Sequence, residues 1–344
     1  MDRQRLPKKM RVPAFRGNGV IEFIDKPVPE PGTGQLLVRV RANTLCGSER
    51  GQFYSGSETT PGHEAAGIVA AAGPGTSTPV GTPGVIYLMD FCGECRSCLQ
   101  GFTNQCLNKR GDMGFNQDGG YGEYELVSET IFFPVGDDLP MDEATMLLDI
   151  IGTGGHALRR GELVHQDIPS LAIAGAGPIG LGVLAMAKIC IDPDLPVFIL
   201  DTIPYRLELG ERLGGIPIQL NSATLADALG AHGLKGIDLA VDTSGRSTAR
   251  RDCLSALNKR GVLVCVGHGE GLNLQVSPDL IAPERAVLGS EYFLYRDLPG
   301  NLEILLEHRS YLSQIITHRL PVTDIQLAFE IFFTGETGKV VILQ

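Results

Sequence analysis

From Leu171 onward the apolar residues come in short unbroken blocks: LAIA (Leu171–Ala174), PVFILD ending at Asp201, and runs at 237–241, 262–266 and 287–288. Helix-like stretches separate them, and this alternation predicts the βαβ rhythm of a parallel doubly wound sheet. The first 150 residues have another rhythm, for VIEFIDKPVPEPGTGQLLVRVRANTLC shows short alternating strands broken by proline and glycine. A mostly β domain is therefore expected before the α/β one. From about position 296 the pattern predicts one amphipathic helix around 302–312 and a last strand, GKVVILQ, able to pair with either domain. No internal repeat, low-complexity tract or long linker interrupts the pattern.

Composition narrows the function. A length of 344 residues with 43% hydrophobic side chains is enough for two domains with separate cores. The net charge of −11 argues against nucleic acid or an anionic membrane as the main partner, and Lys8, Lys9 and Arg11 are too few to change that. The opening MDRQRLPKKMRVPAF has charge but no apolar core, so no secretory leader is expected. The stretch 171–191 is apolar enough to resemble a membrane span, yet its glycines, Pro178 and Lys188 fit a buried strand, turn and helix better. Cys190, Cys253 and Cys265 stand singly in apolar stretches and read as buried thiols, which implies no disulfide framework and a reducing, cytoplasmic setting.

The turn GAGPIG after Leu171–Ala174 carries the first chemistry. Gly175 permits a tight turn, Gly177 lets backbone amides approach a pyrophosphate at a helix N-terminus, and Gly180 lets helix and strand touch; Pro178 and Ile179 complete the turn. Asp201 follows Gly175 by 26 residues, near where an acid meets an adenosine ribose. Its charge repels a 2′-phosphate, so NAD is expected over NADP, with Arg206 close downstream as the residue that opposes that preference. The turns VDTSG, with Thr243, and VGHG, with Gly267, fall at strand ends and are read as further cofactor contacts or as plain loops.

Two groups of metal-type ligands precede that turn. Cys92, Cys95, Cys98 and Cys106 have the spacing C-x2-C-x2-C-x7-C, which puts four thiolates around one tetrahedral ion and leaves no position for substrate. An iron–sulfur cluster is the competing reading, but there the last cysteine follows after three residues and precedes proline, whereas here Leu107 follows. Upstream, Cys46, His63 and Glu64 form a second, mixed set.

The succession CGSE, GHE, a four-cysteine loop and GxGxxG resembles the zinc-containing medium-chain dehydrogenase/reductase family of alcohol and polyol dehydrogenases, over essentially the whole chain. The resemblance implies a GroES-like catalytic domain at 1–152 and 296–344, with the structural-zinc loop at 92–106, and a Rossmann NAD-binding domain at 153–295. It implies one structural and one catalytic Zn2+ per chain, the latter held by Cys46, His63 and Asp149, with Glu64 as a direct or exchanging ligand. Such a zinc lowers the pKa of a substrate hydroxyl before hydride leaves for the nicotinamide. Ser48 then matches the hydroxyl that takes the alcohol proton, and Thr153 the residue beside the nicotinamide ring. Glu49 stands where an aspartate usually orients the zinc-bound histidine, so that contact must be rebuilt with a longer arm; Gly51 replaces a relay histidine, so protons are expected to leave through water. Asp149, an acid, points to the polyol, glucose and threonine branches, and the family's habit implies a homodimer or homotetramer.

For substrate, Phe53, Tyr54, Asn116, Gln117, Asp118 and Tyr295 are candidate pocket residues that suit a sugar, polyol or cyclitol, although NQDGG equally reads as a polar turn. A simple alcohol or an amino alcohol of the threonine kind is the alternative. A zinc-free enone reductase and a non-catalytic NAD-binding protein are the rival classes.

Overall fold

The computed structural model describes residues 6–344; the first five, which open the stretch read for a leader, lie outside it. A six-stranded parallel sheet runs in the order Ile216–Gln219, Val197–Asp201, Leu171–Ala174, Ile237–Asp242, Leu257–Cys265, Ala286–Gly289. Every residue of Leu171–Ala174 and of Ile237–Asp242 is buried, as unbroken apolar runs require when helices cover both faces. The chain order reverses between these two strands, so the crevice at their carboxyl ends is the place where such sheets bind ligands.

The helix Pro178–Cys190 follows the glycine turn and packs against the helix Gly154–Glu162. Its contact is unusually close: a Cβ on Gly182 would lie 2.6 Å from the carbonyl oxygen of Ile150 and 3.1 Å from its Cα. Backbone therefore meets backbone where the nucleotide-type helix touches the segment that begins at Asp149.

A seven-stranded sheet forms the mostly β domain, in the order Ile316–Pro321, Lys339–Leu343, Gln35–Thr44, Ala65–Ala72, Pro83–Ile86, Phe132–Pro134, with Tyr124–Ser128 also paired to Gln35–Thr44. The last strand thus joins this domain: Val341 pairs antiparallel with Thr44, and the Leu45 amide donates to the Val340 carbonyl at 2.9 Å. No helix of the described residues is long and apolar enough to cross a membrane.

Several details depart from the sequence pattern. The helix expected at 302–312 is two, Leu298–Glu307 and Arg309–Leu312, interrupted at His308. The strand expected at 262–266 starts earlier, at Leu257, and Val266 already belongs to the following turn. Cys190 is exposed, not buried, because the helix Pro178–Cys190 ends at solvent; Cys253 is buried and Cys265 half-buried. Phe53 is a core residue in place of a pocket residue, since its ring stacks on Phe329 at 5.3 Å within an aromatic cluster that includes Phe15 and Phe333.

Candidate metal centre and dinucleotide cleft

Cys46 ends the segment that continues the strand Gln35–Thr44, and His63 and Glu64 precede the strand Ala65–Ala72 beside it. Asp149 opens a wide π-helical turn, Asp149–Thr153, a form that recurs at functional sites. One ligand atom from each of Cys46, His63, Glu64 and Asp149 falls within 4.8 Å of all the others. Cys46 Sγ lies 3.4 Å from Asp149 Oδ2, and His63 Nε2 lies 3.9 Å from the same oxygen. A thiol, an imidazole and carboxylates converging in a buried space suit zinc.

The surrounding residues fix these donors. His63 Nδ1 lies 3.3 Å from Glu49 Oε1, so the longer acid reaches the histidine at ion-pair distance, while neither atom makes a hydrogen bond of good geometry. Glu49 Oε2 accepts from the Cys46 amide at 3.2 Å and from the Tyr121 hydroxyl at 2.8 Å. Thr153 Oγ1 donates to Asp149 Oδ1 at 2.9 Å, across one turn, leaving Oδ2 toward Cys46. The Phe115 ring centroid stands 5.1 Å from that of His63. Ser48 is exposed on the short turn Gly47–Glu49.

The charges show how crowded the site is. Burial, and next the charge of Asp149, push the Cys46 thiol up and raise Glu64 to about 8. Burial alone would lower His63, but its bonds to Cys46 and Glu49 prevail and hold it well above the usual range. Burial would raise Asp149, yet the charges of Lys339 and His63 and the Thr153 bond bring it below the usual carboxylate range. Lys339 was not legible as a site residue: its Nζ donates to Glu64 Oε1, and it is wholly buried.

The four-cysteine loop closes on itself, with Sγ–Sγ separations of 3.5 Å for Cys92–Cys106 and 4.0 Å for Cys92–Cys98 and Cys95–Cys106. Backbone amides of Cys95, Leu107 and Cys92 donate to Cys92, Cys95 and Cys106 respectively, each at 3.3 Å. Amides of Cys98 and Leu107 pull the Cys95 thiol down to about 6, while burial pushes Cys98 up to about 12. The loop docks on the segment after the last parallel strand: Asn104 Nδ2 donates to the Glu291 carbonyl at 2.7 Å, and the Tyr295 amide to Thr103 Oγ1 at 2.9 Å.

At the crevice, Gly175 has φ +99°, in the left-handed region, and a Cβ on Gly180 would strike the Gly175 carbonyl oxygen. A Cβ on Gly177 would meet nothing nearer than Arg206 Nη1 at 3.8 Å, so the turn keeps open space over the N-terminus of Pro178–Cys190, with Pro178, Ile179 and Gly180 in its first turn. This is a cradle into which a pyrophosphate fits. Asp201 Oδ2 accepts from the Ala176 amide at 2.8 Å, and Oδ1 from those of Thr202 and Ile203. Arg206 Nη1 stands 3.8 Å from Asp201. Thr243 Oγ1 donates to the carbonyls of Ala174 and Gly175, bracing the turn from below, and Gly267 packs backbone-to-backbone on Thr243 and Gly245.

The expected pocket residues are tied elsewhere. Asn116 Oδ1 accepts from the Asp112 amide, Gln117 donates to the Arg110 carbonyl, and Asp118 binds Lys26 and the Thr60 amide, so NQDGG is a hydrogen-bonded turn. Tyr54 is exposed beside Arg50 and Phe333, and the Tyr295 hydroxyl donates to the Phe132 carbonyl. A cavity of about 320 Å³ lies against the four-cysteine loop, lined by Met89, Asn104, Gln105, Cys106, Leu107, Lys109 and Glu291, and one of about 710 Å³ is lined by residues that include His156, Arg159, Val266, His268 and Glu291; neither is lined by the four residues of the mixed cluster. Tyr292, next to Glu291, is raised by burial and then by the charges of Asp112 and Asp149.

Known proteins resemble this chain in sequence and fold. A family model described as alcohol dehydrogenase GroES-like domain matches residues 32–137, and one described as zinc-binding dehydrogenase matches residues 178–307. The L-threonine 3-dehydrogenase of Rhizobium etli is 30% identical over 338 residues, which cover 92% of this chain and 93% of that one. The alcohol dehydrogenase of Thermus sp. ATN1 has the same fold, with a TM-score of 0.88 and 23% identity over 97% of this chain and 99% of that one. The acetophenone reductase of Geotrichum candidum, solved in complex with NAD, has a TM-score of 0.84 and 21% identity over 99% and 98% of the two chains. The four-thiol and mixed clusters are compatible with one structural and one catalytic zinc, and the glycine cradle with a nicotinamide dinucleotide. With its GroES-like and Rossmann-type domains, the chain belongs to the zinc-containing medium-chain dehydrogenase family.

Proposed function

We propose that this protein transfers a hydride between a polar secondary alcohol, of the sugar, polyol or cyclitol kind, and NAD. The observation that carries the reading is the buried convergence of Cys46, His63, Glu64 and Asp149 within 4.8 Å, beside a nucleotide-type crevice. Zinc held there would supply the Lewis acidity that polarises a substrate oxygen, and NAD the hydride acceptor. Cys46, His63 and Asp149 are its ligands in this reading. Glu49 orients His63, Thr153 fixes Asp149, and exposed Ser48 passes the alcohol proton to water. Gly175, Gly177, Pro178, Ile179 and Gly180 receive the pyrophosphate; Asp201 selects NAD over NADP; Thr243 and Gly267 brace the turn. Cys92, Cys95, Cys98 and Cys106 hold the structural zinc. The division into 1–152 with 296–344, and 153–295, is proposed with it.

The preference for a polar substrate rests on the acid Asp149 among the proposed ligands, as in the polyol, glucose and threonine branches that the sequence resembles. A second reading, an amino-alcohol substrate, is favoured by the name of the Rhizobium etli relative. The terminal strand Ala286–Gly289 leaves one sheet edge open, which supports a homodimer or homotetramer, testable by light scattering. Initial rates of NAD reduction against polyols, aldoses, cyclitols, threonine and simple alcohols, with NADP in parallel, test the assignment. Turnover is expected with a polar secondary alcohol and is expected to vanish in Cys46→Ser, with fold and dinucleotide binding kept; an active Cys46→Ser protein refutes the catalytic metal. Zinc-replete protein that is silent on the whole panel returns weight to a non-catalytic role.

A further inference from the structure

Lys339 and Glu64 form an ion pair in which both side chains are sealed from water, at 1% and 0% exposure. The lysine heads the strand Lys339–Leu343, and the pairing of that strand with Gln35–Thr44 and the Leu45–Val340 hydrogen bond hold it beside the mixed cluster. Cys46, Glu64 and Asp149 bring up to three negative charges to a dication, one more than it neutralises. Glu64 Oε1 is bound by Lys339, Oε2 is buried with no hydrogen-bond partner, and one oxygen of this carboxylate lies within 4.8 Å of the ligand atoms of Cys46, His63 and Asp149. One oxygen is thus restrained while the carboxylate as a whole stands at the cluster with its second oxygen unpaired.

Building on the catalytic-metal reading, we infer that Lys339 is a positioning residue whose ammonium restrains Glu64 and so keeps that carboxylate from closing the open position of the metal. Without the cation, the carboxylate and the metal attract each other unopposed. The metal is then held more tightly, and an outside ligand must compete with Glu64.

The test uses cobalt(II)-substituted protein, followed by visible absorption during imidazole titration and during release to a chelator; Cys46→Ser isolates the signal of the four-cysteine site. Lys339→Met is expected to slow cobalt release, and to raise the imidazole midpoint, by roughly tenfold or more. Both effects should disappear in Lys339→Met/Glu64→Gln compared with Glu64→Gln alone, and Lys339→Arg should stay near the parent. Lys339→Gln, which keeps an N–H donor without the charge, carries the same expectation if Lys339→Met does not fold. Release rate and midpoint unchanged from the parent in the charge-free variants overturn the inference, as does an effect that persists in the Glu64→Gln background, because that would be a structural role. If the parent takes up cobalt at the four-cysteine site alone, the catalytic-metal reading itself fails and the inference falls with it.

Discussion

Asp201→Asn isolates one charge at the ribose end of the crevice. Asp201 and Arg206 stand 3.8 Å apart and nearly cancel for a 2′-phosphate beyond them; the substitution leaves the guanidinium uncancelled. One unit of charge acting on a phosphate of roughly −1.5 to −2, at ~5–6 Å and an effective dielectric of ~40, changes the interaction by ~2–3 kcal/mol. That corresponds to a shift of roughly 30- to 150-fold in the ratio of NADH to NADPH affinity. The amide oxygen can still accept from Thr202 and Ile203, but the Ala176 amide loses its acceptor. That loss, about 1 kcal/mol, weakens both dinucleotides alike and drops out of the ratio. Calorimetric titration of parent and variant with NADH and NADPH measures it directly. A ratio that moves by less than about threefold in correctly folded protein refutes the assignment of specificity to Asp201.

Cys98→Ser should remove one equivalent of zinc and lower Tm by on the order of 5 °C or more, since a closed site contributes to folding; a variant as stable as the parent would show that the loop carries no structural metal. Gly182→Ala should destabilise by about 1–3 kcal/mol and reduce metal retention, because its methyl meets Ile150 backbone next to Asp149. A gain of about 1 kcal/mol, the ordinary helix preference for alanine, would show that the contact yields. His156 is lowered to about 4 by burial and then by Arg159 and Arg160. It is neutral in the folded chain while the unfolded chain protonates near 6.5, so its contribution is complete above about pH 6.5 and is lost as pH falls toward 4. Urea unfolding at pH 7 and pH 5 should show ~1–2 kcal/mol less loss for His156→Gln than for the parent; parallel losses would contradict the buried neutral histidine.

What could be read along the chain was what neighbours in sequence decide. Leu171–Ala174 is found with its expected bounds because a fully buried parallel strand needs no partner pattern to be recognised. The four-cysteine loop is equally local. Lys339 was invisible because a lone lysine heading an apolar strand reads as an edge residue until Glu64, 275 positions away, is placed against it. Phe53 failed as a pocket residue for the same reason: Phe329 and Phe333, which enclose it, come from the other end of the sequence. For Asn116, Gln117 and Asp118 the sequence leaves pocket and polar turn equally open, because the partners that decide for the turn, Asp112, Arg110, Lys26 and Thr60, are set by turn geometry and by a distant strand.

The return of the strand Lys339–Leu343 to the β domain also sets an order of events during synthesis. Cys46, His63 and Glu64 leave the ribosome early, but the lysine that neutralises Glu64 follows 275 residues later, after the whole parallel sheet has emerged. The nucleotide-binding sheet can therefore close on its own residues while the β domain waits for its last strand. Glu64 meets its counter-charge only when translation has passed Lys339, so the buried pair forms no earlier than the docking of the strand Lys339–Leu343 on Gln35–Thr44.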